Sequence, residues 1–277
     1  MRAITRSVWS HRSEGTRDRF SVKEVRASQP SRVRNFPDLV EALARVSFHN
    51  PDYALFFRGQ SHDYQCDEGS TILPSLYRGT LNGRAIRSEI RSSFALLNAA
   101  ESCLLERFPE VSQHKERHLA LRRYSEVCWA ILQHYEVTPT PLLDLTTSLR
   151  VACSFATESG TTPGVLMVIG MPHPHGSISY YVEEQLCNLR LLSICPPEAK
   201  RPYYQEGYTA GTFPTRGPEP ISSAPDFAKR LIAKYRLPAS FWSSEYPPIP
   251  YDALFPRSDT MRDLAEQVRI RTQGADV

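Results

Sequence analysis

The run Tyr53-Ala54-Leu55-Phe56-Phe57-Arg58-Gly59 decides how the fold is read. Apolar and aromatic residues follow Asn50-Pro51 and stop at a glycine. The stretch is too short for a helix and rich in side chains that suit a buried pleated surface, so it predicts a strand ending in Arg58. A guanidinium is thereby parked at a strand end. Upstream, Leu39, Val40, Leu43 and Val46 recur at spacings of three and four, which predicts a helix capped by Asn35 or Asp38. Downstream, two helical patterns occupy about Ala85 to Phe108 and about Lys115 to Tyr135, until Pro139 and Pro141 end the second.

A second strand follows through Leu142, Leu143, Asp144 and Leu145, and Thr147 or Ser148 can cap a helix on Val151, Ala152, Phe155 and Ala156. Gly164 to Gly170 is an unbroken apolar run, read as a central strand. Of the 22 prolines, 17 stand at or beyond Pro139, so the second half should be strands joined by rigid loops. The last helical patterns cover about Pro225 to Tyr235 and Asp259 to Ile270, and a short strand is expected over Ser21 to Arg26. The sum is an α+β chain: a mixed sheet of short strands with a helical insertion between the Arg58 strand and the Asp144 strand. Residues 1–34 read as a basic, partly flexible N-terminal segment, and residues 35–277 as one globular domain.

Composition narrows the functions. Lys and Arg number 33 against 30 Asp and Glu, a formal charge of +3, which excludes a polybasic coat or an acidic solvating chain as the main device. With 41% hydrophobic residues, a chain this long buries roughly 70–75% of its unfolded surface and needs no staples. No run of ~18 apolar residues and no leader-like apolar core are present, so the expectation is a soluble cytoplasmic protein without a membrane partner. The six cysteines are scattered and read as reduced thiols. Neither His62 with Cys66 nor His173 and His175 with Cys187 and Cys195 has a Cys-x-x-Cys spacing, so no metal is expected.

Several blocks carry a resemblance. Phe57-Arg58-Gly59-Gln60 with Leu73-Pro74-Ser75-Leu76-Tyr77-Arg78, then Gln133-His134-Tyr135, Pro139-Thr140-Pro141-Leu142-Leu143-Asp144-Leu145-Thr146 and Ala152-Cys153-Ser154-Phe155-Ala156, stand in the order found in the FRG domain. Arg201, Gln205, Gly207 and Phe213 are similar to a third block, and Lys229, Ile232 and Leu254-Phe255-Pro256 to the family's end. The sequence departs from the family at Pro141, where arginine is usual, and at Glu136, where glycine usually follows His-Tyr. The family name itself implies almost no biochemistry, so function has to come from the site.

The order of an Arg-bearing strand, a Thr146-Thr147-Ser148 strand end running into a helix, and a later acidic-amide loop is similar to that of the Arg-Ser-Glu ADP-ribosyltransferases. That resemblance implies an NAD-using enzyme, a toxin or defence effector with nucleic acid or protein as acceptor. Arg58 would grip a phosphate of NAD bidentately, helped by Gly59, Gln60 and Arg78, and Thr146, Thr147 and Ser148 would shape the nicotinamide pocket. Glu206 beside Gln205 would steady the oxocarbenium-like transition state, with Glu183, Glu184 and Glu198 as substitutes. His134 and Asp144 complete the catalytic candidates. Each residue also has a structural account: Arg58 paired with Asp144, His134 capping a helix end, Thr146 to Ser148 forming an N-cap. Two other functions stay open. One is a non-catalytic module binding a phosphate-bearing ligand or partner protein through Arg58, Gln60 and Arg78. The other is a metal-dependent nuclease drawing on Asp63, Asp67, Glu68 and Asp144.

Overall fold

The computed structural model describes residues 1–10, 18–78, 87–112, 115–158, 163–214 and 224–273. In chain order these form β1 (Val8–Trp9), β2 (Arg19–Phe20), α1 (Val22–Ala27), β3 (Ser31–Arg32), α2 (Phe36–His49), β4 (Ala54–Gln60), β5 (Gln65–Cys66) and β6 (Gly69–Ser70). The helical insertion follows: α3 (Arg87–Arg107), α4 (Lys115–Arg123) and α5 (Ser125–His134). Then come β7 (Leu143–Thr146), α6 (Leu149–Ala156), β8 (Gly164–Met171), β9 (Ile178–Tyr181), β10 (Leu186–Arg190), α7 (Leu191–Ile194) and α8 (Lys200–Tyr204). The chain continues through β11 (Gly207–Thr212), β12 (Leu231–Leu237), α9 (Tyr251–Leu254) and α10 (Thr260–Gln273).

Eight strands build one mixed sheet in the order β3-β12-β8-β4-β7-β11-β10-β9. Every neighbouring pair is antiparallel except β12 and β3. The α+β expectation and the insertion between the two motif strands are both met. β8 is buried at all eight positions, as its unbroken apolar run requires of an interior strand. The register shifts between Leu231 and Ala233 where β12 meets β8, and it breaks down more severely beside β4. β4 pairs with β8 along its whole length, Ala54 to Gln60, yet with β7 at a single position, Phe57 opposite Thr146. Beyond that pair the two strands part.

Two hydrophobic clusters flank the opening. The first joins the sheet to α1, α2 and α6, with Phe56, Leu166, Val168, Tyr235 and Leu39 fully buried. The second belongs to the insertion, where Phe94, Leu97, Leu104 and Ile131 meet Met261 and Val268 of the C-terminal helix α10. α6 lies directly on β4 and β8. A Cβ added at Gly59 would stand 1.8 Å from the Ala152 carbonyl oxygen, and one at Gly164 would stand 2.2 Å from that of Ala156. The glycine of the aromatic-Arg-Gly signature therefore exists for backbone contact with α6.

Three expectations are corrected. Ser21 to Arg26 is not a strand but α1, because Ser21 and Glu24 form a reciprocal capping box: the Glu24 amide donates to Ser21 Oγ at 3.3 Å and the Ser21 amide to Glu24 Oε2 at 2.7 Å. Pro225 to Tyr235 is not a helix but a 3-10 turn at Phe227–Arg230 leading into β12, whose Leu231, Ile232, Ala233, Tyr235 and Leu237 are buried on both faces. A short apolar run cannot tell an interior strand from a buried helix by period.

The third correction concerns residues 1–34. Among the described ones, Ile4, Val8, Phe20, Val22 and Val25 belong to the first core, and the segment is bonded in place. Arg230, 1% exposed, donates to the Arg2 and Gly170 carbonyls and pairs with Glu184 at 2.8 Å. Buried Arg26 bonds the Ser70 carbonyl, Glu68 and Asp226. The basic residues that suggested a loose segment are partly internal anchors. Residues 11–17 of that segment, and Ala85 and Ile86 of the expected insertion start, lie outside the described residues.

Replacing Gly59 by alanine forces β4 and α6 apart. The expected cost is about 3 kcal/mol, at the upper end for overpacking, read as a fall in the urea midpoint at unchanged slope.

Candidate functional site

The parting of β4 and β7 opens a cleft of about 600 Å³, well within the size of small-ligand sites. Its walls come from both motif blocks: Arg58, Gly59 and Gln60 at the end of β4, Asp144 and Thr146 on β7, and His134 to Pro139 leaving α5. Arg78, Gln133 and Gln205 also line it, and Phe155 and Phe255, packed edge to face at 5.8 Å, give it an aromatic side.

Arg58 spans the opening. Its Nη1 donates to the backbone carbonyl of Asp144 at 2.8 Å, in the place where a neighbouring strand's amide would otherwise stand, while its Nε is buried with no hydrogen-bond partner. Desolvation holds the Arg58 guanidinium well below its ordinary range, at about 10. Asp144 opposes that shift, and the second cation, Arg78, adds to it. Arg78 itself is exposed at the rim, its Nε donating to the Leu73 carbonyl at 3.1 Å. An anion placed between the two would relieve both the desolvation and the repulsion.

Asp144 is flanked on its other side by His134, whose Nε2 lies 3.5 Å from Asp144 Oδ1. The imidazole is held from behind: Nδ1 lies 3.1 Å from Gln205 Oε1, and Gln205 Nε2 donates to the Leu254 carbonyl at 3.0 Å. Arg201 fixes the end of α5 by donating to the His134 carbonyl at 2.8 Å, with its guanidinium over the rings of Tyr135 and Phe255. The Tyr135 hydroxyl donates to Asp259 at 2.6 Å, and burial together with that bond pushes its pKa up. The third sequence block, Arg201 and Gln205, thus supports the histidine.

The family segment Leu73 to Arg78 has a mechanical task. The Thr140 amide donates to Ser75 Oγ at 2.9 Å, the Leu76 amide to the Thr140 carbonyl at 3.1 Å, and the Thr140 hydroxyl bonds Gln133 Oε1. These bonds clamp the Pro139 to Leu142 loop and aim Asp144. Pro141 is buried and lies outside the cleft wall. Glu136, at the rim, has φ 55°, the left-handed region that favours glycine.

The cleft gathers most of the candidate residues and rejects others. Arg58, Gly59, Gln60, Arg78, His134, Asp144, Thr146 and Gln205 line it; Thr147, Ser148 and Glu206 do not. Glu206 is exposed with φ 45° in the turn between α8 and β11, so neither it nor Gln205 belongs to a strand; its amide donates to the Tyr203 carbonyl at 3.2 Å and its carbonyl accepts from Thr146 Oγ1 at 3.1 Å. Glu184 is paired with Arg230, and neither Glu183 nor Glu198 reaches the wall. Among the described residues, Asp144 and the rim residue Glu136 are the carboxylates that do. Ser148 caps α6 through its backbone, with no side-chain cap bond.

Sequence reading missed Thr138, whose hydroxyl is buried in the wall without a partner; its place between the end of α5 and Pro139 was the available signal. Of the four acids offered for a nuclease, two are committed elsewhere, Asp63 to buried Lys234 at 2.9 Å and Glu68 to Arg26 at 2.9 Å, while Asp144 lines the cleft and Asp67 does not. Among the described residues no group of three or more His, Cys, Asp or Glu side chains is placed to hold a metal ion, and no helix is long and apolar enough to cross a membrane. Burial pushes the thiols of Cys187 and Cys195 up to about 12, away from the thiolate a nucleophile needs.

Fold and site together define an α+β chain with a split-sheet cleft built around an aromatic-Arg-Gly strand end. Residues 53–163 match the family model of the FRG domain, and the chain carries that domain over this stretch. The matched span runs from the first residue of the opening run through β4, the insertion, β7 and α6, and so contains both strand ends that frame the cleft. No curated protein and no solved structure matches the chain.

Two outcomes are expected. Glu136→Gly relieves the left-handed backbone and raises stability by about 0.5–1 kcal/mol in urea unfolding. Inorganic pyrophosphate raises the melting temperature of the natural chain but not of Arg58→Met, each compared with its own melting temperature without the anion.

Proposed function

We propose that the cleft binds a phosphate-bearing nucleotide, NAD, and transfers its ADP-ribosyl group to a nucleic acid or protein acceptor, as a toxin or defence effector would. One observation carries this reading. Among the described residues eleven buried side-chain polar atoms have no hydrogen-bond partner, and five of them lie on this one cleft: Arg58 Nε, Gln60 Oε1, His134 Nε2, Thr138 Oγ1 and Asp144 Oδ1. A buried polar atom left without a partner costs about 1–3 kcal/mol, so a cluster of them at a cleft marks a place where a ligand supplies the partners. They are also sorted by sign. Arg58 and Arg78 offer donors and positive charge at one end, suited to a diphosphate; Asp144 and His134 offer acceptors at the other.

The ADP-ribosyltransferase order supports the same reading, with an Arg-bearing strand β4 followed by β7 running through Thr146 into α6. Asp144 takes the part first given to Glu206. Its carboxylate would steady the positive charge on the ribose as the bond from C1′ to the nicotinamide nitrogen breaks and the electron pair leaves with neutral nicotinamide. The acceptor's O–H or N–H then attacks C1′, and its proton passes to His134 Nε2.

Titration calorimetry with NAD, and nicotinamide release measured with nucleic acid and protein acceptors, test the proposal. The natural chain should bind NAD and release nicotinamide, and Arg58→Ala and Asp144→Asn should lose release by a hundredfold or more. Binding without release for any acceptor would assign the cleft to a non-catalytic phosphate-ligand module. Absence of both sinks the NAD reading.

A further inference from the structure

The amide of Gln205 has one orientation open to it. Its Nε2 faces the Leu254 carbonyl at 3.0 Å, an acceptor, so the NH2 end must be there and the oxygen must face His134. That oxygen, 3.1 Å from His134 Nδ1, can only accept. Nδ1 therefore carries the proton, and in the neutral ring Nε2 is bare. The bare nitrogen then stands 3.5 Å from a carboxylate oxygen, Asp144 Oδ1, and the two acceptors share no hydrogen bond with each other or with any other described protein group. Nor can the ring retreat from the cleft. The Cα of Gly207 stands behind it so closely that an added Cβ would meet His134 Cε1 at 3.3 Å, and Arg201 holds the His134 carbonyl.

We infer that Gln205 is a positioning residue which sets the tautomer of His134, and that His134 Nε2 and Asp144 Oδ1 together form a two-acceptor seat for an O–H or N–H donor group of the ligand. A phosphate oxygen, itself an acceptor, is refused there and directed to the Arg58 end. The seat fixes which way round a ligand lies: anion toward Arg58 and Arg78, hydroxyl or amino groups toward His134. It also leaves Nε2 ready to take a proton from a nucleophile. The inference rests on the cleft being the ligand site proposed above, yet the tautomer is measured on the protein alone. Its failure and the failure of NAD binding are therefore separate results.

Histidine-selective 15N labelling of the full chain, with long-range proton–nitrogen correlation spectra, reads the tautomer directly. The expected result for His134 in the neutral ring is a protonated Nδ1 and a bare Nε2. Gln205→Leu should move the ring toward the Nε2–H form, now donating to Asp144. Gln205→Glu, whose carboxylate also accepts from Nδ1, should keep the original form, a rescue that packing alone does not provide. In a second sample labelled with 15N on arginine as well, pyrophosphate should shift the Arg58 Nε resonance and leave the His134 ring nitrogens in place. An Nε2–H ring in the natural chain, an unchanged ring in Gln205→Leu, or pyrophosphate displacing the His134 signals overturns the inference. Should Gln205→Leu fail to fold, the natural chain and Gln205→Glu decide it.

Discussion

The sheet is continuous across eight strands, but at its centre β4 and β7 are joined by one residue pair, Phe57 with Thr146, and past it the side chain of Arg58 crosses the gap to the Asp144 carbonyl. The rest of the site depends on that crossing. A guanidinium can satisfy a strand carbonyl and still present a second face, which a backbone amide cannot do. The split is kept open by what borders it. α6 is pressed onto β4 and β8 at Gly59 and Gly164, where no Cβ would fit, and the loop before β7 is clamped to Ser75 and Leu76. The two hydrophobic clusters meet at this seam, and the cleft is their boundary.

Charged side chains elsewhere in the molecule show what architectural ones look like. Arg26 is buried with all three guanidinium nitrogens engaged, by Ser70, Glu68 and Asp226, and Lys234 bonds the Arg26 carbonyl, Asp63 and Ser70. Such groups bear the cost of desolvation because their partners are complete. Arg58 differs in kind. Burial lowers the pKa of Lys234 as it does that of Arg58, with another cation nearby in each case, but Arg58 alone of the three keeps a buried nitrogen, Nε, without a partner. An arrangement that local stability would not select is the usual mark of a site shaped by its ligand.

Much of this was legible in the residues. The β4 run, the α2 period, the proline stop after α5 and the apolar β8 each carried a local pattern strong enough to survive folding, and the motif order brought Arg58, Gln60, His134 and Asp144 to one place. Ser21 and Glu24 spelled a capping box that reading Val22 and Val25 as a short strand concealed. Glu206 looked like a catalytic acid because of its neighbours in sequence. It stands in a left-handed turn outside the cleft wall, and turn geometry of that kind leaves no periodic trace.

The amino-acid sequence determined by itself the class of the fold, the two strand ends that frame the cleft and the glycine between strand and helix, since these follow from short-range periodicity and from the steric limits of single residues. Tertiary structure alone decided which acid faces the arginine, that the sheet parts beside it, and that Gln205 stands behind His134. Those facts join residues as far apart as Arg58 and Asp144 or His134 and Gln205. Contacts at such separation are set by how strands register and cores close, and no local pattern records them.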